Sequence, residues 1–232
     1  MIRKLEKGLY QVRGSLVSSY LLVENGKATL IDGGFWGHLR KIERALLREG
    51  LDWSHVKAVL LTHGHLDHCY NVAEIVRRSG ARVYGHMADE SHFEGRYSYR
   101  GINRICGAME RLGKLLSSYE PISEDWALKD GQIINLWGGL EVVHLPGHTF
   151  GHCGFYSKER DLLFSGDLFA TGWFGTVVPW APLNSCPELF EKSLDRVAQL
   201  NPKRMLSNHC DLSKPETQRR RFWKRIMKPS GF

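Results

Sequence analysis

The sequence predicts one α/β domain in which sheets are sandwiched between helices. Two observations carry that expectation. Short apolar runs of strand length alternate with stretches of helical spacing in both halves of the chain, and turn signals rather than linkers separate them. A length of 232 residues suits one well-buried domain spanning 1–232 and is short for two.

The elements follow in order. Leu16 to Val23 reads as a strand, Asn25-Gly26 as a tight hairpin turn, and Ala28 to Ile31 as the returning strand, which ends at Asp32-Gly33-Gly34. A helix is expected from Leu39 to Arg48, closed by Gly50. Apart from Lys57, Val56 to Leu61 is apolar, as a buried strand is. It runs into Thr62-His63-Gly64-His65-Leu66-Asp67-His68, where a helix begins that ends near Gly80. Ala81 to Tyr84 is the next strand. Residues 87–126 break the rhythm with aromatics, glycine and charge, and Ile102 to Leu116 has helical spacing, so this segment reads as a helical insertion or lid. Strands resume at Gln132–Leu136, Leu140–Leu145, Cys153–Ser157, Leu162–Ser165 and Arg204–Leu206, with a helix over Pro187–Leu200 and an exposed basic helix in the tail.

Composition excludes less. Hydrophobic residues at 42% and charged residues at 25% fit a globular protein and argue against disorder. No apolar run spans a bilayer, and the first residues lack the apolar stretch of a signal peptide, so the expected setting is cytoplasmic, away from membranes. The five cysteines, Cys69, Cys106, Cys153, Cys186 and Cys210, are odd in number and form no C-x-x-C pair; they read as buried thiols in a reducing compartment. The net charge of +7 is compatible with an anionic substrate or nucleic acid, but much of it lies in the tail around Arg219-Arg220-Arg221, and a solvated basic surface is the plainer explanation. A homodimer is compatible with the sequence.

The chemistry concentrates at His63, His65, Asp67 and His68, four metal-ligand side chains within six residues behind an apolar strand. In an extended loop residues two apart share a direction, so His63 and His65 can reach one metal, while Asp67 and His68, where the chain turns into a helix, can face another. His148, Asp167 and His209 follow Leu145-Pro146-Gly147, Phe164-Ser165-Gly166 and Leu206-Ser207-Asn208, each at the end of a strand, where binding residues collect in layered α/β folds. Phe169, Trp173, Phe174 and Trp180, with Tyr97, Tyr99 and His92, are candidate walls of an apolar substrate pocket. Cys69, Cys153 and Cys210 neighbour motif residues and are expected to pack beside them.

The T-H-G-H-L-D-H run resembles the signature of the metallo-β-lactamase superfamily, and P-G-H-T, S-G-D and the late S-N-H resemble its later motifs in the right order, from Ser19-Tyr20 to His209. The resemblance implies an αββα four-layer sandwich with the site at one edge of the sheets. It implies a first metal on His63, His65 and His148, a second on Asp67, His68 and His209, and Asp167 bridging both. Asp32 in L-I-D-G-G would orient the ligand loop. A hydroxide bridging two divalent ions, zinc first and iron or manganese next, would then attack a small ester, lactone, thioester or phosphodiester, with Asp67 helping proton transfer.

The ligand set lacks the cysteine of the commonest zinc β-lactamases and resembles the glyoxalase II and lactonase branch. Glyoxalase II carries a further helical domain for glutathione, whereas about twenty residues follow His209 here, so glutathione thioesters are not the expected substrate. Ser207-Asn208-His209 stands where the family more often has P-G-H. No arm for RNA is visible, and nucleic acid is not expected as a partner. The alternatives are a mononuclear-iron persulfide dioxygenase, which would need only the first ligand trio, and a non-catalytic relative that binds a ligand through the old site.

Overall fold

A computed structural model describes residues 1–117, 119–122, 126–172 and 175–227. Its first sheet runs in chain order through β1 (Ile2–Glu6), β2 (Leu9–Arg13), β3 (Ser18–Glu24), β4 (Lys27–Ile31), β5 (Val56–Leu60), β6 (Arg82–His86) and β7 (Trp126–Leu128). The first four strands are antiparallel, and β4 to β7 are parallel. The second sheet contains β8 (Ile133–Ile134), β9 (Leu140–His144), β10 (Cys153–Ser157) and β11 (Leu162–Phe164). A separate two-stranded ribbon, β12 (Ala170–Gly172) and β13 (Gly175–Val177), precedes β14 (Arg204–Leu206), which closes the second sheet in parallel with β11.

Alternation along the strands builds three apolar layers, because successive side chains of a strand point to opposite faces. Leu21, Leu30 and Val59 face outward onto Ile42, Ala45 and Leu46 of α1 (His38–Leu47). Tyr20, Leu22, Ile31 and Leu60 face inward, where they meet Leu140, Val142, Phe155, Leu162 and Phe164 of the second sheet. On that sheet's other face Val143, Leu163 and Met205 pack against Val197 and Phe222. These two belong to α6 (Phe190–Leu200) and α7 (Pro215–Ile226) once the intervening helices are counted: α2 (Leu66–Cys69), α3 (Val72–Ser79), α4 (Glu90–Phe93) and α5 (Arg104–Ser117). The order helix, sheet, sheet, helix is the expected αββα sandwich.

Two details differ from the expectation. The helix after His68 is two helices, because the His68 carbonyl accepts from Gly33 and Gly34 N–H, at 2.8 and 3.1 Å, and so leaves the helical ladder. The tail helix is not simply exposed: its basic residues face water, but Phe222 is fully buried and Gln218 donates and accepts within the fold. Residues 87–126 leave the first sheet from β6 and return to it as β7, carrying α4 and α5 between. No helix among the described residues is long and apolar enough to cross a membrane.

The fold brings the ends of five strands to one edge. β4 and β5 are parallel to each other, and β9, β11 and β14 share a direction in the second sheet. Backbone bonds from Cys153 N–H to Thr62 O, 2.7 Å, and from Ser18 N–H to Asn208 O, 2.8 Å, fasten the two sheets together there.

His38 at the start of α1 supports this edge as a neutral ring. Its Nδ1 accepts from Phe35 N–H at 3.0 Å and its Nε2–H donates to Val17 O at 3.1 Å. Burial pushes its pKa down to about 4 from an ordinary 6.5. The unfolded chain therefore takes up a proton before the native state does. The stability this ring contributes is complete above about pH 6.5 and is lost as pH falls toward 4. Urea midpoints of wild type and His38→Gln should converge across that window, by up to about 3 kcal/mol. A pH-independent difference between the two would overturn this account.

Candidate metal centre

His63, His65, Asp67, His68, His148, Asp167 and His209 converge at the shared strand edge. Three trios of their donor atoms each lie within 4.8 Å of one another: His63–His65–His148, His63–His68–Asp167 and Asp67–His68–His209. His63 Nε2 is 3.1 Å from His65 Nδ1. The Asp167 carboxylate stands between the halves, with Oδ2 3.4 Å from His148 Nε2 and 3.0 Å from His209 Nε2, and Oδ1 3.4 Å from His68 Nε2. Asp67 Oδ2 reaches His209 Nε2 at 3.2 Å.

Each ring is turned by what its other nitrogen touches. His68 Nδ1–H donates to Asp32 Oδ2 at 2.8 Å, His148 Nδ1–H to Asn184 Oδ1 at 3.0 Å, and His209 Nδ1–H to Leu16 O at 3.0 Å. His63 Nδ1 is 3.0 Å from Thr62 Oγ1. In all four, Nε2 is left facing the centre, the arrangement that presents a lone pair to a cation.

Asp32 joins two of the contributing segments, the Thr62–His68 loop and the Asn208–His209 loop. It is fully buried and accepts from Thr62 N–H (2.8 Å), Thr62 Oγ1–H (2.7 Å), His68 Nδ1–H and Asn208 Nδ2–H (2.8 Å). Its φ of 61° is left-handed, which aspartate tolerates better than most residues. His152, adjacent to the P-G-H-T motif, is also buried: its Nδ1–H donates to Leu145 O, and its Nε2 accepts from Asp167 N–H at 3.0 Å. Only glycine fits at 166, where φ is 53° and a Cβ would lie 2.4 Å from His152 Nε2.

The electrostatics divide the centre. Burial pushes His65 down to about 4 and His148 down to about 3, and lowers His63 well below its usual range, so these three are neutral bases. Burial also disfavours charge on His68, but Asp167, Asp67 and Asp32 outweigh it and raise its pKa to about 10. His209 is raised in the same way by Asp167 and Asp67. Burial would raise Asp67 and Asp167, yet His68 and His209 hold both carboxyls below their usual range. The buried carboxylates thus demand nearby positive charge, and protons on imidazole supply it here. Meanwhile His68 Nε2, His148 Nε2 and Asp167 Oδ1 are buried without a hydrogen-bond partner. Unpartnered ring nitrogens and a carboxylate oxygen, beside carboxylates that require positive charge, fit divalent metal ions in place of those protons by donor chemistry.

Some candidates lie elsewhere. Phe169 is not a pocket wall: it is fully buried against Phe222, with ring centroids 5.0 Å apart, and its carbonyl accepts from Ser207 Oγ–H, so it buttresses the His209 loop from within the core. Trp173 and Phe174 lie outside the described residues. Trp180 is largely exposed, and Tyr97 and Tyr99 stand around His92 on a different face of α5. Cys69, Cys153 and Cys210 are buried, as expected; Cys106 also reaches the centre, with Sγ 4.0 Å from His65 Nε2.

The sequence reading missed three contributors. Asp89 accepts from Gly64 N–H, Thr149 Oγ1–H and Gly151 N–H at 3.0, 2.6 and 2.7 Å, tying the first histidine loop to the P-G-H-T loop. Burial raises its pKa to about 6 against the pull of those donors. Nothing in Met87-Ala88-Asp89 signals this. Asn184 orients His148 across thirty-six positions of chain. Glu110 accepts from Leu66 N–H at 3.0 Å and joins α5 to the histidine loop. The centre opens into a cavity of about 540 Å³ whose apolar side is Phe35, Trp36, Leu66, Met109, Leu112 and Leu116. The stripe Ile105, Met109, Leu112, Leu116 was a discoverable signal, since its spacing is helical; the face it presents was not.

Comparison with known proteins agrees with this geometry. The family model described as the metallo-beta-lactamase superfamily matches residues 12–209. Hydroxyacylglutathione hydrolase GloC of Haemophilus influenzae is 32% identical over 151 residues, which is 64% of either chain, so this chain spans somewhat under two thirds of that relative. The crystal structure of metallo-beta-lactamase family protein TTHA1429 from Thermus thermophilus superposes with a TM-score of 0.73 at 26% identity, covering 96% of this chain and 80% of that one. TTHA1623 in a di-iron-bound form gives 0.67 at 28% identity, over 90% and 96%.

Proposed function

The chain belongs to the metallo-beta-lactamase superfamily, and from that premise we propose that it is a dinuclear metallohydrolase of a small ester, lactone, thioester or phosphodiester. The observation that carries this reading is the placement of Asp167 within 3.4 Å of His68, His148 and His209, so that one carboxylate serves two adjoining ligand trios. His63, His65 and His148 would hold the first ion, Asp67, His68 and His209 the second, and Asp167 both. Two such cations supply a strong nucleophile from water near neutral pH and positive charge against the developing oxyanion.

The chain's own groups do the rest. Asp32, Asn184 and the Leu16 carbonyl hold their imidazoles in the required tautomer. Asp67 is the more open of the two carboxylates, with its side chain 28% exposed against 8% for Asp167, so it is the group able to pass a proton to the departing atom. The apolar side of the cavity binds an acyl or aromatic portion and displaces water around the scissile bond. Zinc suits the donor set, as does iron, which the TTHA1623 structure holds as a pair. Five buried free thiols support a reducing, cytoplasmic setting. Similarity to GloC, a hydroxyacylglutathione hydrolase, brings thioesters forward as the first class to test.

Elemental analysis of purified protein decides between the readings. Two zinc or iron ions per chain, with turnover in a panel of thioester, lactone, β-lactam and phosphodiester substrates, is the expected result. One iron per chain with oxygen consumption would favour the persulfide-dioxygenase reading, and failure to retain metal after loading would favour a non-catalytic binding protein.

A further inference from the structure

A second cavity, of about 830 Å³, lies on the opposite flank of α5 from the metal centre. The helix explains the separation. Cys106, Gly107 and Glu110 form its buried face, Met109, Leu112 and Leu116 project to the metal-centre side, and Arg104, Arg111 and Lys114 project to the other. Among the described residues, Glu110 lines both. The second cavity also gathers Arg96 and Arg100, with Tyr97 and Tyr99 as aromatic walls.

Among the described residues the charge there is not internally balanced. Arg96 pairs with Glu94, and Lys114 with Glu110 at 3.3 Å. Arg100, Arg104 and Arg111 have no carboxylate within 4.0 Å among the described residues. Three guanidinium groups on a concave wall, unpaired among the described residues, match an anion that carries several charges and accepts bidentate hydrogen bonds, as phosphate does. A single carboxylate would leave most of that charge unanswered.

We propose that this cleft binds phosphate groups on the leaving group of an acyl thioester or ester while the acyl portion occupies the apolar cavity. The proposal rests on the hydrolytic reading above. In the reaction, the oxygen of water joins the acyl carbon, the acyl–sulfur or acyl–oxygen bond breaks, and the leaving thiol or alcohol takes a proton as the acid is released. The scissile bond and the phosphates must be separated by the width of α5, roughly 10 Å with its side chains. That requires a long arm between them, which excludes a phospholipid ester, whose phosphate sits one glycerol unit from its carbonyl. A nucleotide-bearing thiol fits.

Binding and turnover test the proposal separately. Adenosine 3′,5′-bisphosphate, which has no thiol to ligate a metal, should bind the metal-free protein in calorimetry, more weakly as salt rises, and at least 10-fold more weakly to Arg104→Glu/Arg111→Glu. Circular dichroism of the double variant should match wild type. The metal-loaded enzyme should prefer hexanoyl-coenzyme A over hexanoyl-N-acetylcysteamine by at least 10-fold in kcat/KM, and that ratio should fall toward unity in the variant. Absence of nucleotide binding, equal binding by the variant, or an equal or greater kcat/KM for the glutathione thioester would overturn the proposal. Nucleotide binding without turnover of any thioester, ester, lactone or phosphodiester would instead sink the hydrolytic reading, and the leaving-group assignment with it, while the anion site stood.

Discussion

Asp167→Ala should lower kcat/KM by about 10³-fold on whichever substrate is turned over best, and should reduce bound metal below two ions per chain. The carboxylate touches His68, His148 and His209 and is the shared member of two ligand trios. Its removal withdraws negative charge from both halves at once. A loss of about 4 kcal/mol of transition-state stabilisation, a usual scale for disabling a metal pair, corresponds to that factor. Inductively coupled plasma analysis of the variant, beside steady-state kinetics, provides two independent readouts. Full turnover with two ions retained would remove Asp167 from the centre.

Asp32→Ala should cost about 3–5 kcal/mol of folding stability and weaken metal binding about 10- to 100-fold. The buried carboxylate satisfies Thr62 twice, His68 once and Asn208 once. Alanine would leave those donors buried without acceptors, and each unsatisfied donor carries a penalty of about 1–3 kcal/mol that is not fully additive. The left-handed backbone at this position adds to the cost, since alanine occupies that region less readily than aspartate. Asp32→Asn keeps the shape but supplies one acceptor oxygen in place of two, so it should fall between the two proteins. Urea unfolding of the metal-free chain and competition with a chelating dye measure the two effects. A stability change under about 1 kcal/mol with unaltered metal affinity would show that the network is dispensable.

The two predictions differ in how far their residues were visible before the fold. Asp67 and His68 lie a few positions from His63 and His65, and local chemistry identifies such a cluster. His148, Asp167 and His209 are sixty or more positions away, yet each follows an apolar run at a strand end, and their order matches a known pattern. Asp32 was visible as a motif residue, but its four donors come from the Thr62–His68 loop and from Asn208, which meet it only when β4, β5 and β14 end at the same edge. Asp89 and Asn184 had no sequence signal, because nothing local distinguishes a polar residue that will be buried against a distant loop from one that will face water.

The pocket follows the same division. The aromatics after Asp167 are near the motif in sequence, but Phe169 turns into the core because β11, β14 and α7 close over it. Helical spacing identified α5, while the question of which flank faces the metal centre depends on the buried Cys106, Gly107 and Glu110.

By itself the sequence determined the layers and the ligand inventory. Alternation of apolar residues sets which side of a strand is wet, and clustered imidazoles and carboxylates have few uses other than holding cations. Only the tertiary structure decided which nitrogen of each ring faces the centre, which polar residues hold those rings, and what lines the two cavities beside α5. Those properties are distances between atoms far apart in the chain, and no local preference encodes such a distance.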